Sequence, residues 1–298
     1  MLNDILRGDF NNLSSELKRA SGRLDFWLFA LWISLISSNI ALVVRLADSV
    51  DETAIQILTW AVAVLLVTRN RPNLKFDASP SAIAVGVLLV VWVMIKSLLT
   101  RRVYDILFIL TPIMATIGVA LIASGWKGLR QYWQPILLAA IMGIPVPFFF
   151  SAIEAVIPVN VLTAQFANSA LWYGGVKVAQ EGITIVSQYG AVEVARGCAG
   201  LPPIFMLTRI TLMFVLVFPA TVTQMWIMFP LAIMIAFVVN SLRVALLVIV
   251  ASQEALFKYW HAGDGSQIFS VIAVSILLAF CNWLTKDNDE DYEEYEGQ

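Results

Sequence analysis

Long apolar runs dominate this chain, near 26–46, 53–69, 82–99, 104–123, 134–152, 201–220, 223–250 and 266–284. Crossing a bilayer's hydrocarbon core of about 30 Å takes about 20 helical residues, since each advances the chain by about 1.5 Å. Inside that core each backbone amide must find its partner within the protein, which makes a helix the natural form for such a run. The expectation is therefore an all-α polytopic membrane protein with about eight transmembrane helices. Composition agrees, with 59% hydrophobic and only 13% charged residues, against about 25% charged in ordinary soluble domains.

The formal net charge of -2 hides an asymmetry. Acids gather in the final stretch, "KDNDEDYEEYEGQ", while arginines and lysines cluster near the ends of several runs. The first 25 residues carry Arg7, Lys18, Arg19 and Arg23 without an apolar core, unlike a cleaved signal peptide. With a cytoplasmic N-terminus, "DSVDE" falls outside, and the basic loops "RNRPNLK" (69–75) and "SGWKGLRQ" (124–131) fall inside, as basic loops prefer. Arg101 and Arg102 fall outside and go against that preference. Three regions are expected on this count: a cytoplasmic segment 1–25, a single membrane domain 26–284, and an acidic cytoplasmic tail 285–298. The expected location is a plasma (inner) membrane with both termini cytoplasmic.

The first five runs hold almost nothing that does chemistry, and the prolines of "MGIPVPFFF" (142–150) should kink or end the fifth helix. Residues 153–200 differ, being only moderately apolar and outside by the same count. "VNVLTAQFANSALWYGGVKVA" has roughly helical periodicity, with Phe166, Leu171 and Trp172 suited to an interfacial helix. "GITIVSQYGAVEVA" reads as a β-hairpin turning around Gln188, Tyr189 and Gly190. A small cap of amphipathic helix plus hairpin is thus expected on the outer face. "ARGCAGLPP" follows it directly, and Pro202 and Pro203 suit the first turn of the next helix.

Ionisable residues near membrane depth are candidates for function. Cys198, Arg243 in "VVNSLRVALL" and His261, the single histidine of the chain, stand out. Twenty residues of helix from Thr223 carry Arg243 to the outer interface. His261 lies in the outer loop that follows, and Cys198 lies at the outer start of the sixth run. All three share one membrane face. A thiol of ordinary pKa about 8.5 is activated by an imidazole, a cation or a helix N-terminus, and each is on hand for Cys198. His261 would then move the proton, and Arg243 would stabilise an oxyanion. Asn240, on the same helix face as Arg243, would bond that arginine or a substrate carbonyl. Arg196 would support the thiolate or touch lipid phosphate; Asp264 would orient His261 or cap the last helix.

Each residue also has a plainer reading. Membrane cysteines commonly pack as small apolar groups, as expected for Cys281. Arginines at helix ends snorkel to headgroups, and loop histidines are commonly solvated. A disulfide is not expected, because the count puts Cys198 and Cys281 at opposite faces. One histidine and one accessible cysteine do not make a zinc site. Two non-enzymatic readings stand beside acyl transfer: a polytopic transporter, and a non-catalytic membrane assembly factor.

The hairpin leading into "ARGCAGL", then "NSLR", then an isolated histidine before "GDGS", resemble the exosortase/archaeosortase family of membrane cysteine transpeptidases, nearest to its cyanoexosortase branch. The likeness runs over about residues 100–284, and its specific part is the ordered cysteine, arginine and histidine. The resemblance implies cleavage of a C-terminal sorting tail on exported proteins, made of a Pro-Glu-Pro-like motif, a membrane helix and a basic cluster. Cleavage would pass through a thioester, with transfer to an acceptor. It implies Cys198 as nucleophile, Arg243 as transition-state arginine and His261 as acid/base. Gly200 closes the Cys-Ala-Gly core, and Pro202 stands where many members carry a polar or basic residue. The partners implied are exported tail-bearing proteins and membrane lipid, with no cofactor, metal or nucleic acid.

Overall fold

The computed structural model describes residues 24–46, 50–100, 106–144, 146–195, 198 and 200–296. The chain forms two compact units, one up to Ile144 and one from Pro145 onward.

The first unit holds α1 (Leu24–Leu46), α2 (Val50–Asn70), α3 (Pro80–Leu99), α4 (Thr111–Gly128) and α5 (Trp133–Met142). α3 begins where Ser79 accepts a hydrogen bond from the Ala82 amide and Pro80 occupies the first turn. It packs closely on α4 at a glycine pair: a Cβ on Gly86 would lie 2.6 Å from the Gly118 carbonyl oxygen. Glycine at that point lets the two backbones touch. Buried polar side chains tie the bundle together. The Trp60 indole donates to Asn39 Oδ1 at 3.2 Å, and the Asn39 amide donates to Thr111 at 3.4 Å. These bonds offset the cost of placing polar groups in an apolar interior.

Among the described residues, six helical segments are long and apolar enough to cross a membrane, against the eight expected. One of them, Leu107–Met142, is a hairpin rather than a rod. Gly125 takes φ 67°, a 3-10 turn spans Leu129–Tyr132, and the Ser124 and Tyr132 hydroxyls meet at 2.9 Å. Gly143 then returns to the beginning of the hairpin, where an added Cβ would lie 3.0 Å from the Ile109 oxygen. α4 and α5 are therefore antiparallel neighbours. A further apolar helix, Leu201–Val217, has 17 residues. Counting it and dividing the hairpin recovers eight helical segments.

The fifth segment is interrupted, as its prolines foretold. α5 stops at Met142 after 10 residues, about 15 Å or half the hydrocarbon core. α6 (Val146–Val156) starts afresh. Ile144 precedes a proline, and the residue before proline avoids the helical region.

The second unit holds α6, α7 (Val159–Tyr173), a three-stranded sheet, α8 (Leu201–Val217), α9 (Val222–Ile249), α10 (Glu254–Ala262) and α11 (Asp264–Glu296). α8, α9 and α11 pack on one another. Thr221 and Gln224 close a capping box at the start of α9, and the Gln224 amide reaches the Leu284 carbonyl of α11 at 2.5 Å. That contact marks one end of the bundle. The opposite end holds the start of α8, the last turns of α9, all of α10 and the start of α11.

The sheet is antiparallel in the order β1 (Val178–Glu181), β2 (Thr184–Ser187), β3 (Gly190–Glu193). The expected hairpin is β2–β3, in register through Thr184 opposite Glu193 and Ser187 opposite Gly190. β1 corrects the expectation that "KVA" belongs to the amphipathic helix. That helix ends at Tyr173, where Gly175 takes φ 82°, a conformation open chiefly to glycine. The residues of β1 then alternate between half-buried and exposed, as in a strand. On α7, Leu171 is buried whereas Trp172 and Phe166 are exposed. Phe166 also meets the Phe237 ring of α9 edge-on at 5.7 Å.

Candidate active site

Three separate elements deliver the site. Cys198 sits in the link between the sheet and α8, its amide donating to the Ala195 carbonyl at 2.8 Å. Its side chain is buried at 4% exposure among Ala164, Ala167 and Leu171 of α7, Ile185 and Val192 of the sheet, and Val244 and Val248 of α9. Small and β-branched residues at these positions let helix and sheet close around the sulfur. His261 arrives from the last turn of α10. Its Nδ1 lies 3.3 Å from the Cys198 Sγ, although 63 positions separate the two residues. The histidine was expected in a loop, whereas its place on a helix stacks its ring on Phe257, one turn earlier, at 5.4 Å and 21°. A helical histidine with an aromatic residue four positions before it can stack on that ring, so the Phe257–His261 spacing in the sequence carries the signal for this contact.

Arg243 reaches the site from α9. Its Nε donates to the Trp260 carbonyl at 3.4 Å and its Nη2 donates to the His261 carbonyl. These are terminal carbonyls of α10, groups that lack intrahelical donors and carry the negative end of the helix dipole. The guanidinium thereby anchors the turn that carries the histidine. Asn240 bonds neither the arginine nor an open position. Its buried amide donates to the Cys198 carbonyl at 2.9 Å. One face of α9 thus holds the backbone of both Cys198 and His261, Asn240 the cysteine and Arg243 the histidine.

The electrostatics differ from the activated thiolate that proximity suggested. Burial pushes the Cys198 thiol above its ordinary pKa, and the Arg243 charge opposes this only in part. Burial pushes the His261 imidazole below its ordinary value, and Arg243 lowers it further. Both changes favour a neutral pair, thiol beside imidazole, over an ion pair. A neutral imidazole 3.3 Å from a thiol can accept its proton as the sulfur attacks.

The remaining expected residues divide. Gly200 is the N-cap of α8 with an ordinary φ of -66°, and an added Cβ would meet neighbours only at normal contact distances of 3.5 and 3.6 Å. Asp264 is exposed and is the first residue of α11. No hydrogen bond joins it to His261 among the described residues. Arg196 lies outside the described residues. Cys198 and Cys281 are both free and buried, so the nucleophile candidate is covered rather than accessible.

A family model described as transmembrane exosortase matches residues 48–278, a stretch that contains Cys198, Asn240, Arg243 and His261. No curated protein and no solved structure matches the chain.

Proposed function

Because the chain belongs to the transmembrane exosortase family, membrane proteases and transpeptidases in general, we propose that it is a cysteine transpeptidase acting on the C-terminal sorting tails of exported proteins. The observation that carries this reading is the 3.3 Å contact between Cys198 Sγ and His261 Nδ1, with both backbones held by α9. The Cys198 sulfur attacks the scissile carbonyl as His261 takes the thiol proton. The C–N bond then breaks, His261 returns the proton to the leaving amine, and a thioester remains. An acceptor nucleophile attacks that thioester, loses its proton to His261, and the thiol is re-formed. Arg243 supplies a fixed positive charge beside the developing oxyanion and keeps the histidine in place.

The site opens at the outer face, as the basic loops imply, and the substrate's own membrane helix docks among the spans beside it. A Pro-Glu-Pro-like motif then meets the cap. The buried thiol suits transfer over hydrolysis, because a covered thioester meets little water before the acceptor arrives.

The test is to trap the intermediate. A reporter bearing the motif, a membrane helix and a basic cluster is co-expressed, membranes are quenched in acid, and Cys198 peptides are analysed by mass spectrometry. The expected result is the reporter's cleaved portion joined to Cys198 by a hydroxylamine-labile bond. No adduct during active processing, or solute transport that ignores thiol reagents, would overturn the reading.

Arg243→Lys keeps the charge but loses the planar fork that spans two carbonyls. The variant is expected to process the reporter about a hundredfold more slowly, the cost of a catalytic group displaced by about 1 Å. Processing at the parent rate would exclude both guanidinium roles.

A further inference from the structure

Several threonine hydroxyls in the helices of this protein share a rule and bond back to their own helix. Those of Thr59, Thr116, Thr208, Thr211 and Thr285 each donate to the carbonyl four residues earlier, at 2.6 to 3.1 Å. This back-bond is the ordinary refuge of a threonine in an apolar helix. Thr163, on α7, breaks the rule. Its residue is fully buried, yet among the described residues its Oγ1 has no hydrogen-bond partner. One turn earlier on the same face, Asn160 Oδ1 is likewise buried and unpartnered. An unmet buried polar atom costs free energy and calls for a partner; a third on α7, Asn168 Oδ1, lies farther along the helix.

Their position identifies the ligand's chemistry. Thr163 Oγ1 faces Gly200, two residues past the nucleophile, across a space about one methyl group wide. A methyl group built on Gly200 would lie 3.5 Å from Thr163 Oγ1 and 3.6 Å from both Phe237 and Val159. The site thus has room for an added atom beside an unused hydroxyl. Asn160 offers an acceptor and Thr163 a donor, one helical turn or about 5–6 Å apart. An extended peptide presents N–H and C=O groups along one edge, repeating every two residues at about 6.6–6.8 Å.

We propose that Asn160 and Thr163 form the edge on which the substrate main chain docks beside the scissile bond. Thr163 donates to a peptide carbonyl and Asn160 Oδ1 accepts from a peptide N–H. This rests on the transpeptidase reading above. Both are binding residues that grip the backbone rather than side chains, so they orient any tail presented to Cys198, and Gly200, lacking a side chain, leaves the Thr163 hydroxyl uncovered on that side. α7, the interfacial helix of the cap, is therefore a wall of the substrate groove.

The test uses Thr163→Val in the full-length protein in proteoliposomes, with the tail-bearing reporter at varied concentration. Valine matches threonine in shape but lacks the hydroxyl. The expected result is a KM about tenfold higher with kcat within about twofold, while iodoacetamide alkylates Cys198 at the parent rate. Thr163→Ser should restore KM, and Thr163→Val should melt no lower than the parent, because no native bond is lost. Asn160→Leu should raise KM in the same way. An unchanged KM in Thr163→Val, or a loss shared by iodoacetamide alkylation, or no rescue by serine, would overturn the docking edge, a buried water then being the partner. Processing that survives Cys198→Ala would instead sink the transpeptidase reading, so the two failures are told apart.

Discussion

Cys198→Ala is expected to abolish processing of a tail-bearing reporter, with a loss of at least about 10⁴-fold, while the protein stays in the membrane at parental abundance. The size follows from losing covalent catalysis: without the sulfur no thioester forms, and binding with electrostatic help sustains only a residual rate. The fold should tolerate the change. Cys198 packs against alanines, valines and leucine, its backbone is held by Asn240 and Ala195 independently of the sulfur, and alanine fits the space. Cys281→Ala is the matched control, since that residue is buried in α11 and should be replaceable without loss of processing. Reporter cleavage by gel and membrane content by immunoblot decide the matter. Cleavage at the parent rate in Cys198→Ala would remove the nucleophile from the scheme.

His261→Gln should cost about a thousandfold in processing, within the range for losing a general acid–base. Glutamine still lies against Phe257 and still offers polar atoms to the sulfur, so what disappears is the ability to take and return a proton. The pH dependence of Cys198 alkylation by iodoacetamide gives the sharper measurement. A depressed imidazole pKa leaves the base neutral down to pH values below the usual histidine range, so the histidine-assisted rate should switch on with a step below about pH 6.5. A raised thiol pKa then predicts a second rise at pH values above the ordinary thiol range of about 8.5, where free thiolate accumulates. His261→Gln should lose the lower step and keep the upper one. A parent profile flat from acid to alkaline pH would mean a preformed thiolate–imidazolium pair, and the neutral-pair account would fail.

Much of the architecture was legible in the chain. The apolar runs declare the helices because backbone amides in hydrocarbon have one cheap partner, their own segment. The proline break after Met142 and the β2–β3 hairpin were readable from local chemistry. Boundaries set by glycine were less so: the turn at Gly125 that folds Leu107–Met142 into a hairpin, and the Gly174–Gly175 stop that frees β1, depend on which of several permitted conformations packing selects. Cysteine, arginine and histidine could be placed on one face by counting rise per residue, yet counting gives depth along the normal and nothing about lateral distance.

The sequence by itself determined that the chain lives in a membrane, where its helices run, and which residue types could do chemistry at one end. Only the tertiary structure decided how they are arranged. It placed His261 Nδ1 on the Cys198 sulfur, assigned Asn240 and Arg243 to backbone carbonyls, and left Thr163 without the back-bond its neighbours make. Local periodicity and propensity are written in neighbouring residues. The pairing of positions 63 apart and the cost of burying a thiol exist only once α7, α9, α10 and the sheet have closed around it.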